Sequence, residues 1–195
     1  MKIKFIQYLL LLLLAGNAAI AQQIAVNTND AATGTRVIIT KNHAGSTIVS
    51  DDTVVKTGLV FFSAGYQKTM INQKEVETYF IDLDIFHNNN KLGCIKQGES
   101  NIVITLEDGT EINGFQISDT ECNPQSFKAA FAIAPKGATT TVMAENFKKM
   151  QNSPIAKIKI TSTEGFLNYK IRSGSSKYIK DHFALVQKTL NSGVK

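Results

Sequence analysis

From Val76 to Phe86 the chain reads VETYFIDLDIF, and from Tyr79 onward every second residue is a large apolar one. Side chains alternate across a strand, so Tyr79, Ile81, Leu83 and Ile85 share one face and Phe80, Asp82, Asp84 and Phe86 share the other. The first face suits a hydrophobic core. The second carries two carboxylates flanked by aromatic rings. A strand of this kind needs partners, and the chain offers them as short β-rich runs separated by turn residues: TRVIIT, GLVFF, QKTMI, NIVITL, EINGFQI and KAAFAIA. Their length and spacing predict a mainly β domain, antiparallel and sandwich-like, with an α+β character contributed by its C-terminal third.

Turn chemistry fixes part of the register. In ITLEDGTEI, a three-residue loop Glu107-Asp108-Gly109 with Gly109 left-handed pairs Leu106 with Thr110 and Ile104 with Ile112. In IAKIKITSTEGFLNYKIR, Ile158 and Ile160 fall on one face with Leu167, Tyr169 and Ile171. Lys157, Lys159, Lys170 and Arg172 fall on the other, whether the turn is Thr163-Glu164 or Glu164-Gly165. Met143, Phe147 and Met150 recur at helical spacing ahead of Pro154, which predicts a short helix near residues 143–152. A second helix is expected near 176–190, capped by Ser175 or Ser176, with Tyr178, Ile179, Phe183, Val186 and Leu190 as its apolar stripe. Asn191 and Gly193 end it.

The N-terminus has a different use. Lys2 and Lys4 precede an apolar run through Leu9 to Ala15, and Ala19-Ile20-Ala21 is a small-x-small cleavage site. These are the three regions of a secretory signal peptide over residues 1–21, cut near Ala21. Asn17 stands where a lipid-anchored protein would have cysteine. Residues 22–34, polar and rich in Gly and Asn, are expected to form a flexible segment or an irregular edge. Residues 35–195 form a single β-rich domain with a C-terminal hairpin and helix, and no later apolar run is long enough for a transmembrane helix. The expected location is periplasmic or extracellular, where Cys94 and Cys122, the two cysteines of the chain, form a disulfide. That bond closes a loop of about 29 residues, worth roughly 3.6 kcal/mol in the chain-entropy model.

Charge is divided along the chain. Residues 22–127 hold 7 Lys and Arg against 13 Asp and Glu, whereas residues 128–195 hold 12 against 3. The basic half faces either the acidic half or an anionic partner, and the crowded Lys157, Lys159, Lys170 and Arg172 are the candidate binding residues. An anionic glycan, an envelope surface or a protein fits an exported chain; nucleic acid does not.

Familiar reaction centres are missing from the sequence. There is no G-x-S-x-G elbow, no H-E-x-x-H, no phosphate loop and no dinucleotide fingerprint, so no catalytic residue, metal or cofactor is assigned. His43, His87 and His182 are scattered and read as structural or surface residues, with His182 packing at the edge of the last helix's stripe. Asp82 and Asp84, roughly 6.5–7 Å apart along a strand, have the spacing for a calcium site or a glycan-acting hydrolase, but are better read as solvated carboxylates. The leading expectation is a non-enzymatic binding or interaction module. A glycan hydrolase using the paired aspartates, or a structural envelope component, is the alternative.

Three segments carry a resemblance: the signal ending AIAQQ, the middle segment YFIDLDIF…GESNIVITLEDGTEI, and the closing SPIAKIKITSTEGFLNYKIRSGSSKYIKDHF. In these the chain resembles small secreted β-rich proteins of Bacteroidetes. The resemblance implies an exported sheet-rich domain and transfers no catalytic residue. It also implies that Asp52-Thr53-Val54 is an O-glycosylation triplet.

Overall fold

The structure is a computed structural model and describes residues 23–48, 58–86, 91–123, 125–171 and 173–193. The signal segment, the Asp52-Thr53-Val54 triplet, His87 and Arg172 lie outside the described residues. Among the described residues, ten strands pair antiparallel into one sheet: β1 (Ile24–Asp30), β2 (Thr35–Thr40), β3 (His43–Ile48), β4 (Gly58–Ile71), β5 (Lys74–Phe86), β6 (Asn101–Leu106), β7 (Glu111–Gln116), β8 (Ser126–Ala132), β9 (Ile155–Ser162) and β10 (Gly165–Lys170). Two described helices accompany them, α1 (Thr140–Asn152) and α2 (Ser173–Ser192). The order across the sheet is β1-β2-β4-β5-β8-β7-β6-β9-β10, with β3 beside β2 along the same edge of β4. The mainly β, antiparallel reading is therefore what is found. The strands join in one hydrogen-bonded path; α1 packs on β5, and α2 packs on β2, β4 and β9.

The alternation of β5 sets the core. Ile81, Leu83 and Ile85 are at most 1 % exposed and lie opposite Ala64, Phe62 and Val60 of β4 and Phe131, Ala129 and Phe127 of β8. Helices seal this face. The Phe147 ring of α1 stacks against Tyr79 at 4.7 Å and against Phe183 of α2 at 5.2 Å. On α2, His182 packs edge-on to Phe62, and its Nδ1 lies 2.6 Å from the Thr40 hydroxyl oxygen. Fully buried, His182 serves the packing role its place on the stripe implies. Tyr178, expected on that stripe, is instead 42 % exposed.

Local readings of the two hairpins hold. Ile104 pairs with Ile112, the Leu106 amide donates to the Thr110 carbonyl, and Gly109 has φ +84°. In β9–β10 the turn is Thr163-Glu164, closed by the Ser162–Gly165 pair. GLVFF and QKTMI, read as separate runs, are parts of the single 14-residue strand β4, because Ser63, Ala64 and Gly65 continue the ladder between them. Within the segment expected to be flexible or an irregular edge, Ile24–Asp30 form the edge strand β1, which pairs with β2 through a register shift between Ile24 and Val26. Helix α1 begins at Thr140 and α2 at Ser173, each three residues earlier than its pattern suggests.

The sheet has a seam. Strands β7 and β8 share only Phe115–Ala132 and Gln116–Phe131, whereas β4 and β5 pair along 13 residues. At the seam a Cβ on Gly114 would overlap the Ala132 carbonyl oxygen, so glycine is what lets the two backbones approach. One half of the sheet holds β1 to β5 and β8; the other holds β6, β7, β9 and β10. Helix α2 contacts β2 and β4 in the first and β9 in the second, and so ties them together.

Candidate functional site

The predicted basic face exists, and it is concave. Strand β9 lies between β6 and the edge strand β10. Register places Thr105, Lys157 and Lys170 in one row across the three strands, and Val103, Lys159 and Asn168 in the next. The inner sides of the same strands are core: Ile158, Ile160, Leu167 and Tyr169 are at most 1 % exposed. Alternation then leaves the lysines outward, and all three are exposed. Between them runs an open groove of about 710 Å³.

A β-bulge helps shape it. Thr105 pairs with Lys157 but Leu106 pairs with Ile155, so Ala156 is an extra residue on β9. Ala156 contributes a small side chain to the groove, while its carbonyl accepts a hydrogen bond from the Ile171 amide at 2.8 Å. The bulge left a mark in the sequence that alternation alone does not explain. Ile155 and Ile158, both buried, are an odd number of residues apart.

The electrostatics are one-sided. Lys157 and Lys170 stand directly opposite each other, an unfavourable arrangement for like charges. No described carboxylate pairs with Lys157, Lys159 or Lys170. The Lys159 ammonium sits over the Phe166 ring, 4.5 Å from its centroid. Glu111 of β7 lines the far side of the groove, next to Thr105. Sequence reading found the lysines and missed Phe166, Glu111, Val103 and Asn168. Phe166 and Asn168 join the lysines through the β9–β10 hairpin itself, whereas Val103 and Glu111 arrive only because β6 pairs with β9, a contact between segments some fifty residues apart that no local pattern announces.

A disulfide braces the groove's tip. Cys94 and Cys122 are bonded. The Cys94 amide donates to the Thr163 hydroxyl at 2.9 Å, and the Cys94 carbonyl accepts from the Thr163 amide at 2.9 Å. The covalently closed loop thus holds the turn of β9–β10.

The aspartate pair lies elsewhere. Asp82 and Asp84 project from β5, which is separated from β9 by β8, β7 and β6, so they do not neutralise the lysines. Asp84 accepts a hydrogen bond from the Asn42 amide group at 2.7 Å and lies opposite Lys128 of β8. Asp82 is half-buried beside Ser63; burial, then the neighbouring Asp84, push its carboxyl above the usual carboxylate range, with Lys128 and the Ser63 hydroxyl acting in the opposite direction. Phe80, one face-neighbour along, is buried over Gly65, and Phe86 is 46 % exposed with its ring edge-on to Phe61. The terminal helix covers neither of these rings, since it packs on the opposite face. Among the described residues, no group of three or more His, Cys, Asp or Glu side chains is placed to hold a metal ion. No described helix is long and apolar enough to cross a membrane.

No family model, no curated protein and no solved structure matches this chain.

Proposed function

We propose that this chain is an exported, non-enzymatic binding module that holds an anionic partner in the groove of β6, β9 and β10. The observation carrying the reading is the Lys157–Lys170 cross-strand pair with Lys159 beside it, three exposed cations without a described counter-charge. Folding keeps such a cluster at a cost, and a bound anion offsets that cost. Arg172 belongs to the same reading as a fourth cation, on sequence grounds. Export is supported by the three-part N-terminal segment and by the disulfide, a bond that persists in oxidising compartments. The Lys159→Glu, Lys170→Glu double variant is expected to lose retention on an anionic matrix at low salt while melting normally. Retention equal to that of the parent chain would remove this surface from consideration.

A second reading draws on one observation, the upward displacement of the Asp82 carboxyl beside Asp84. A carboxyl kept protonated more readily by burial, with a second carboxyl beside it, is what acid–base hydrolysis of a glycoside needs. The Asp82→Asn, Asp84→Asn double variant would then abolish turnover of acidic oligosaccharides; retained turnover would end that reading.

A further inference from the structure

Attraction of negative charge alone needs only the lysines, and the groove holds more than that. Phe166 is 46 % exposed at its turn end, and its ring is the one flat apolar surface there. An ammonium over an exposed ring is held only weakly. A ligand that offers Lys159 an anion therefore draws it off the ring cheaply and frees the ring face. Asn168 lies across from Lys159 and two residues from Lys170, Thr105 lies across from Lys157 on the β6 side, and they supply an amide and a hydroxyl. Glu111, at the far side, accepts hydrogen bonds but repels a second anion. Phe166 and Lys170 are four residues apart on β10, roughly 13 Å along the strand, which is the reach of a short oligomer rather than of a single small anion.

We infer that the occupant is an acidic polysaccharide whose charged sugars alternate with neutral ones, an inference that rests on the basic-groove reading above. The apolar C–H face of one sugar stacks on Phe166, its acidic group pairs with Lys159, and hydroxyls of a neutral sugar farther along the oligomer donate to Glu111. A polyphosphate has no flat apolar face to stack, and its next charge meets Glu111.

The test is calorimetric titration of the folded chain with a hyaluronan hexasaccharide, with inorganic polyphosphate, and with phosphatidylglycerol-containing vesicles. The hexasaccharide is expected to bind most tightly. Phe166→Ala should weaken it at least tenfold and leave polyphosphate within twofold, and Phe166→Leu, which keeps apolar cover without a flat face, should give the same split. Glu111→Gln should weaken the hexasaccharide and tighten polyphosphate. Tighter binding of polyphosphate or vesicles than of hexasaccharide, or equal effects of Phe166→Ala on both polymers, would overturn the polysaccharide assignment while leaving the basic groove standing. If Lys159→Glu, Lys170→Glu leaves both polymers bound as before, the groove itself is not the site and both readings fall together.

Discussion

Strand β5 and strand β9 carry the same pattern with opposite signs: two like charges, two residues apart, on the outward side of a strand. Their surroundings differ. Strand β5 lies between β4 and β8, and each flank answers it, with Ser63 opposite Asp82 and Lys128 opposite Asp84. Asn42 adds a hydrogen bond to Asp84 from beyond the pairing strands. Strand β9 has β10 on one side, and there the register sets Lys170 against Lys157. A like-charge pair in the middle of this sheet has partners on its flanks; near the margin it has no described ion pair. Place in the sheet, more than residue type, separates the structural charges from the candidate functional ones.

That contrast supposes that both regions belong to one cooperative unit, and the seam is where to break it. Gly114→Val would drive a side chain into the Ala132 carbonyl, a backbone atom that cannot swing aside. A cost of about 3 kcal/mol or more is expected. In thermal unfolding, the groove and the aspartate region should be lost in a single transition at a lower temperature. Survival of anion retention after the rest has melted would show two independent halves.

A change confined to the first half comes next in size. Gly65→Ala would place a methyl within the Phe80 ring, which must then swing toward water. Losing that burial costs about 2 kcal/mol. Denaturant titration should show the loss, with anion retention unchanged while the chain is folded. Weakened retention would mean that the two regions communicate.

The smallest effect sharpens the contrast from the acidic side. The fold disfavours the charged form of Asp82, so its ionisation subtracts stability once the pH is above its raised folded-state value. Asp82→Asn should therefore raise stability near neutral pH by up to about 1 kcal/mol, the scale of side-chain pairs on one sheet face. The difference from the parent chain should shrink as the pH falls through the folded-state value and vanish below the ordinary carboxylate range, where both forms are neutral. Melting curves across that range decide it, and a difference that stays constant would mean burial is not the cause.

How much of this was legible in the sequence follows from the range over which each feature is determined. Alternation in β5, the Asp108-Gly109 turn and the stripe of α2 are local, and each could be read directly. The three described lysines of the groove were legible for the same reason, since Ile158 and Ile160 commit the opposite face to the core. Strand β3 was not read, because HAGSTI alternates weakly. Strand β4 was cut in two because Ser63, Ala64 and Gly65 break the apolar pattern; their small size makes sense only once Phe80 lies over Gly65. The pairing of β6 with β9 and the insertion of β8 between β5 and β7 join distant segments. Glu111 became a candidate only through the first of those pairings, whereas Phe166 lies in the local hairpin with Lys159.

The paired hydrogen bonds between Cys94 and Thr163 have a consequence for when the groove is ready. Phe166 follows that turn by two residues, and Cys122 is exposed to any thiol in solution. A newly made chain, its sulfurs still apart, holds the hairpin tip by hydrogen bonds alone. Oxidation therefore sets the aromatic end of the cleft as well as closing a loop.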